Sequence, residues 1–362
     1  TNITKDKTMK NIIKTIIVMF SSISLFASAN AGELSVSGTA KATYNIESGT
    51  TNAGKGLGIT NELNFTAAGE LDNGYTWSYS MELDPNSVAV DNAGAQNDDT
   101  KLTLTTPYGT VGVFISEGGL DVEDAASQSV YGRPTDIGDP SATSDNFTID
   151  SYNNIQYHTP ADLLPFGLSG KVAYATNTAD TSAGSSGNNA GAVTTGSATQ
   201  NGANATEIQV KAAPIDGLAI GASYFEFGGD KGATKNDQVG ESGAYYATYA
   251  TGPFSVGYSK AYKAPHMSNN VGATTATTVE YYDQTNYSIA FAASDDISVS
   301  YEMEKSDANK LDDTSVEQKS TAVQLAYTMG GMTVAVSHAS HDNNGYVADA
   351  NTDQTLFAVT MA

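Results

Sequence analysis

The 362-residue chain contains no cysteine and a single arginine, Arg133. In an exported protein the first absence excludes a disulfide framework, and with it thiolate metal sites and thiol nucleophiles. Only 16% of the residues are charged, and the basic share is small: 17 Lys and Arg stand against 40 Asp and Glu, a net charge of -23. Nucleic acid and anionic lipid surfaces are therefore poor partners, and an acidic outer face or a cation-biased lumen is the natural alternative. Long apolar runs are also missing. Beyond Gly32 no stretch approaches the ~18 residues that a membrane-spanning helix requires.

The apolar segment that does exist lies at the start. Met9, Lys10 and Lys14 form a positive region, residues 12–29 are mostly apolar, and Ala29-Asn30-Ala31 closes the run with the small-x-small pattern that signal peptidase reads. The expectation is a leader over residues 1–31, residues 1–8 lying upstream of an initiator Met9, followed by one domain over residues 32–362. Without Lys5, Lys7, Lys10, Lys14 and Asp6, 13 basic residues face 39 acidic ones.

Twenty Tyr and 35 Gly, with a mean hydropathy of -0.28, describe short aromatic-bearing strands and turns rather than amphipathic helices. Period two runs through the whole domain. Leu57, Ile59, Leu63 and Phe65 alternate with Thr60, Glu62, Asn64 and Thr66; Tyr75, Trp77, Tyr79 and Met81 alternate with Thr76, Ser78, Ser80 and Glu82. Sixteen such segments are expected, at 33–46, 57–67, 75–83, 100–106, 110–116, 151–159, 168–176, 206–213, 218–227, 242–251, 254–263, 281–293, 297–305, 321–329, 332–341 and 353–362. Their connections alternate between short turns such as Leu71-Asp72-Asn73-Gly74 and Gly330-Gly331 and long polar stretches at 47–56, 84–99, 117–150, 177–205, 228–241, 264–280, 306–320 and 342–352. That rhythm is what an even-numbered barrel with both termini on one side requires. A closed barrel pairs every backbone donor and acceptor between strands, so it crosses a bilayer with alternating apolar residues alone. An exported β-sandwich or β-solenoid, such as an adhesin, shows the same alternation. However, an inward set of Thr, Ser, Asn, Gln and Lys cannot pack a dry core, whereas a water-filled lumen accepts it. The fold class expected is all-β, a transmembrane antiparallel β-barrel of about 16 strands.

Local motifs for chemistry are weak. His338 and His341, three apart, fall on opposite faces of a strand and cannot chelate jointly. Asp349, Asn351 and Asp353 echo half of a calcium loop, without the Gly and Glu that complete one. Gly54-Lys55-Gly56-Leu57-Gly58 leads into a strand, so it is no phosphate cradle. No nucleophile or general base emerges, and neither an enzymatic activity nor a cofactor is expected.

Three stretches carry a family resemblance. Gly32 to Gly38 (GELSVSG), Pro107 to Phe114 (PYGTVGVF), and Tyr152 to Pro160 (YNNIQYHTP) followed by Phe166 to Tyr174 (FGLSGKVAY) look like Gram-negative general porins, particularly alphaproteobacterial ones. The resemblance implies a homotrimer of sixteen-stranded barrels in the outer membrane. Its partners are then outer-membrane lipid and lipopolysaccharide, the barrel-assembly machinery and small hydrophilic solutes. It also implies a third loop, here residues 117–150, that folds inward and narrows the lumen. Two departures stand out. The family's arginine cluster is reduced to Arg133, which sits in that loop, and the chain closes on Phe357-Ala358-Val359-Thr360-Met361-Ala362 without the family's final aromatic residue.

On this reading strand parity turns Lys41, Lys101, Lys171, Lys211, Glu62, Glu82, Glu207, Glu302 and Glu304 into the lumen, opposite Glu117, Asp121, Glu123, Asp124 and Arg133 of the loop. The expected constriction set is Glu117, Asp121, Glu123, Asp124, Arg133, Lys41, Lys101, Glu62 and Glu82. With loop acids in excess, passive diffusion with a weak cation preference is expected. The alternatives are a substrate-specific channel of the same architecture and a non-channel surface protein.

Overall fold

A computed structural model describes residues 33–50, 53–84, 96–137, 145–160, 163–178, 204–228, 236–268 and 278–361. The expected leader and Ala362 lie outside the described residues, as do much of the long stretches at 84–99 and 177–205.

The strands are β1 (Glu33–Gly49), β2 (Gly54–Glu70), β3 (Thr76–Asp84), β4 (Gln96–Thr106), β5 (Gly109–Ile115), β6 (Asn154–His158), β7 (Ser169–Ala175), β8 (Ala205–Ile215) and β9 (Leu218–Phe227). They continue with β10 (Asn236–Gln238), β11 (Glu241–Thr251), β12 (Phe254–Ala264), β13 (Met267–Ser268), β14 (Val279–Ala292), β15 (Ile297–Lys310), β16 (Ser315–Met329), β17 (Met332–Asp342) and β18 (Thr352–Met361). Sixteen of them form one closed antiparallel barrel, each beside its neighbour in sequence; β10 and β13 pair separately as a small two-stranded sheet that the sequence did not announce. Closure comes from β1, which pairs with β2 along one side and with β18 along the other, Ala40 opposite Met361 and Tyr44 opposite Phe357. The rings of Tyr44 and Phe357 stack across that seam at 6.4 Å. No strand edge is left in the ring, which is what a hydrocarbon environment demands of a sheet.

The burial pattern separates barrel from sandwich. On β16, Val323, Leu325, Tyr327 and Met329 are exposed on the outer face, while Gln318, Ser320 and Gln324 are buried inside. A soluble sandwich has the opposite polarity. Tyr245, Tyr258 and Tyr287 line up on the outside of β11, β12 and β14, with ring centroids 6.4 and 5.2 Å apart, as an aromatic band at a membrane interface does. One short turn shows why glycine is needed there: Gly217 has φ +77°, and a Cβ on it would lie 2.2 Å from the Ala250 carbonyl oxygen.

All sixteen expected segments coincide with barrel strands, but two expected long loops are corrected. Residues 47–56 and 306–320 are largely ladder. β1 runs to Gly49 and β2 resumes at Gly54, while β15 and β16 are joined by a tight turn in which the Lys310 N–H donates to the Thr314 carbonyl at 2.9 Å. Backbone pairing continues wherever the strands stay side by side, whereas the apolar period marks only the membrane-facing band. Above that band the side chains change to ion pairs such as Lys305–Glu317 at 3.2 Å.

Candidate functional site

The connection between β5 and β6 runs from Ser116 to Asn153, slightly beyond the expected 117–150, and its described part folds into the lumen along the inner wall from β8 to β18. Short 3-10 turns at Glu123–Ala126, Pro134–Asp136 and Ile149–Ser151 are the helical pieces among its described residues. Inward wall residues fasten it at each step. Glu207 of β8, fully buried, accepts the backbone N–H groups of Leu120 at 3.2 Å and Ile149 at 2.9 Å, binding the outgoing and returning arms together. The Ser223 hydroxyl of β9 accepts from Val122 N–H at 3.1 Å and donates to Asp121 at 2.9 Å. Ser288 of β14 donates to the Ala126 carbonyl at 2.6 Å. Glu302 of β15 accepts from Ser127 and Ser129, each at 2.6 Å, and from Asn286. Gln324 of β16 accepts from Tyr131 N–H at 3.0 Å and donates to the Gly132 carbonyl at 2.5 Å.

Apolar contacts reinforce these bonds. Ile137 is buried against Ala322, Ala326, Ala335, Ala339, Leu356 and Ala358, so the inner wall of β16 to β18 is alanine-rich where the loop lies on it. Val122 and Ala126 pack on Ala244, Tyr246 and Ala261, and Leu120 and Ile149 pack near Phe225 and Phe227. Closest of all is Gly257 of β12, where an added Cβ would stand 1.8 Å from the Ala126 carbonyl oxygen. The wall has been cut back to hydrogen at the point where the loop backbone crosses it.

The residues expected at the constriction fall into four groups. Glu117 is ion-paired with Lys101 at the root of the loop. Asp121 accepts from Ser223, from the Glu123 N–H at 2.8 Å and from the Asn146 amide at 3.1 Å, while Glu123 is buried and accepts from the Asn146 N–H at 2.9 Å. Asp124 keeps over half of its side chain exposed and pairs with Arg133, whose guanidinium also reaches Asp136 at 3.2 Å and Glu304 of β15 at 3.4 Å. On the wall, the Lys41 ammonium lies 5.4 Å from the centre of the Tyr131 ring. Glu62 accepts from Asn64 at 2.5 Å, and Glu82 lies opposite Asn64 on β3. Sequence parity turned Glu207, Glu302 and Glu304 inward, yet it gave no sign that they are the loop's anchors. Their partners on the loop are backbone N–H groups and serine and threonine hydroxyls 58 to 175 residues away along the chain, which no local pattern encodes.

The electrostatics of the loop follow from this packing. Burial, followed by repulsion from Asp121 and Asp124, pushes the Glu123 carboxyl well above the usual carboxylate range. Desolvation by the surrounding loop and wall also pushes Asp124 up to about 6, although part of its side chain stays open to the lumen, and the attraction of Arg133 opposes that shift. On the wall, Lys171 of β7 lies within electrostatic reach of Lys211 of β8 and of Lys101 of β4, the latter paired with Glu117. Among the described residues no group of His, Asp and Glu is arranged to hold a metal ion.

Comparison with known proteins places this architecture. OmpT, an outer membrane protein of Vibrio cholerae solved in a trimer form, shares the fold with a TM-score of 0.61 at 11% identity, over 91% of this chain and 99% of that one. A point variant of the Rh. blastica porin gives 0.58 at 14% identity with the same coverage. No curated protein matches in sequence. The family model described as Gram-negative porin matches residues 15–360, so the chain belongs to the Gram-negative porin family and is an outer-membrane β-barrel channel of that family.

Proposed function

We propose that this porin passes small hydrophilic solutes and ions by passive diffusion, as a homotrimer with a weak cation preference. One observation carries the reading. The third loop is laid along the inner wall from β8 to β18 by buried hydrogen bonds and keeps charge at the lumen, with Asp124 over half exposed beside Arg133 and Glu117 paired with Lys101 of the wall. Charges of opposite sign across a narrow aqueous gap, with low-dielectric walls around it, orient dipolar solutes and filter ions. The excess of acids over bases in the chain, 40 against 17, tips the filter toward cations.

Reconstitution into a planar bilayer tests this. Conductance steps in groups of three support a trimeric pore, and a silent bilayer overturns it. Neutralising Glu117, Asp121, Glu123 and Asp124 together should move the zero-current potential in a salt gradient toward anions. Cation preference should also depend on pH. Asp124 is neutral below its titration near 6 and charged above it, facing Arg133, Asp121, Asp136 and Asp145. Preference for cations should therefore grow between about pH 5 and about pH 7.5. A flat profile would mean that Asp124 does not face the permeating ions.

The trimer contact is assigned to the outer face of β1 and β2. Small residues Gly38, Ala40 and Ala42 lie there beside Leu57, 86% exposed, Ile59 and Val36. Close approach of two barrels suits small side chains, by analogy with helix contacts in membranes. Ala40→Trp should convert the unboiled protein from trimer to monomer on a gel; intact trimers would put the contact on other strands.

A further inference from the structure

Between the first 3-10 turn of the loop and the wall lies a small cleft, lined by Glu123, Asp124 and Arg133 on one side and by Ser259, Asn286 and Glu304 on the other. Asn286 is only 6% exposed, and its Nδ2 donates to the carboxylates of Glu302 and Glu304. Ionised carboxylates accept and never donate, so the amide has one orientation, and its Oδ1 is turned away from them. That oxygen has no hydrogen-bond partner. A buried acceptor without a donor is a standing cost that a donor-bearing ligand removes.

Two further acceptors stand beside it. Glu123 is 8% exposed, with Oε2 taken by the Asn146 N–H; a cation at Oε1 would favour the ionised form that burial and its acidic neighbours oppose. Ser259, 2% exposed, adds a hydroxyl. The cations at the rim are engaged elsewhere: Arg133 with Asp124, Asp136 and Glu304, and Lys305 with Glu317 at 3.2 Å on the outer surface.

The geometry points to a recognition subsite for a primary ammonium group of a permeating solute, held by Glu123, Asn286 and Ser259 at the junction of loop and wall. The inference rests on the diffusion-channel reading and narrows it to a solute class. Three acceptors around one cleft match the three N–H donors of an ammonium. The neighbouring guanidinium of Arg133 favours a singly charged ligand over a divalent ion, and the carboxylates exclude anions from the same cleft.

The test uses the full-length protein in planar bilayers, with butylammonium chloride as the probe and tetramethylammonium and Mg²⁺ as comparisons. Butylammonium should reduce the potassium chloride conductance saturably, and tetramethylammonium, which has no N–H, should bind weaker by about tenfold or more. Glu123→Gln should weaken butylammonium by about tenfold and Ser259→Ala by several-fold. Should Glu123→Gln fail to fold, the one-atom change Ser259→Ala decides. Equal effects of both ammonium ions would reduce the phenomenon to general charge and overturn the subsite. So would Mg²⁺ binding tighter than butylammonium, or unchanged affinity in the variants. In all these cases the channel still conducts; a protein that conducts nothing fails at the channel reading instead.

Discussion

Replacing Gly257 with valine should raise the single-channel conductance and weaken the ion preference. The Ala126 carbonyl lies where the first atom of any side chain at position 257 would go, 1.8 Å from the ideal Cβ, and the Ser288 hydroxyl is the next obstacle at 2.6 Å. Both are parts of the attachment, since Ser288 donates to that carbonyl at 2.6 Å. A main-chain oxygen cannot swing aside as the end of a lysine can, so the loop itself must lift. The change combines overpacking, about 1–3 kcal/mol, with the loss of a hydrogen bond of about 0.5–1.5 kcal/mol. That strain falls on the loop, because β12 keeps its pairs with β11 and β14 through the barrel ladder. The variant should therefore still fold, migrate as the parent does on unboiled gels, and conduct more current in each step. Unaltered conductance in a folded variant would show that the first turn of the loop does not limit the pore.

Removing the only arginine should have a larger energetic effect. The Arg133 side chain is 15% exposed and sits among Asp124, Asp136 and Glu304. Arg133→Met leaves three carboxylates to repel one another without a counter-charge. Breaking a buried pair by removing one partner costs about 3–5 kcal/mol. The expected results are a loop that is cut faster by added protease, noisier open-channel current and stronger cation preference. Arg133→Lys should restore little, because a single ammonium cannot reproduce the guanidinium fork that reaches Asp136 through Nε and Nη2, each at 3.2 Å, as well as Glu304. Arg133→Met combined with Glu304→Gln should recover part of the loss, and the coupling in that double-mutant cycle measures the pair directly. If Arg133→Met leaves protease sensitivity and noise at parental levels, the loop is held by its hydrogen bonds to Glu207, Glu302 and Gln324 alone.

The strand pattern was legible because each residue of a barrel strand meets either lipid or lumen. Parity therefore assigned Leu57, Ile59 and Leu63 to one face and Glu62 and Asn64 to the other before any coordinates, and the first three are exposed on the outside. Strand lengths were legible only within the membrane band, so the polar halves of β15 and β16 were read as loop. In the third loop, the sequence displayed Asp121, Glu123 and Asp124 as acids without showing what each one meets. Asp121 and Glu123 fold back on Asn146, and Asp124 turns to Arg133.

By itself the sequence determined an all-β chain of about sixteen alternating strands with a lipid-facing exterior, since local alternation and turn chemistry respond only to the nearest surroundings of each residue; the inward loop after the fifth strand was implied only by the resemblance to porins. Tertiary structure alone decided the rest: that Glu207, Glu302 and Gln324 grip the loop, that Gly257 makes room for it, and that Asn286 presents an unpaired oxygen beside Glu123. Those relations join residues distant along the chain whose meeting depends on barrel closure and on the path of the loop across the lumen, and neither leaves a periodic trace in the sequence.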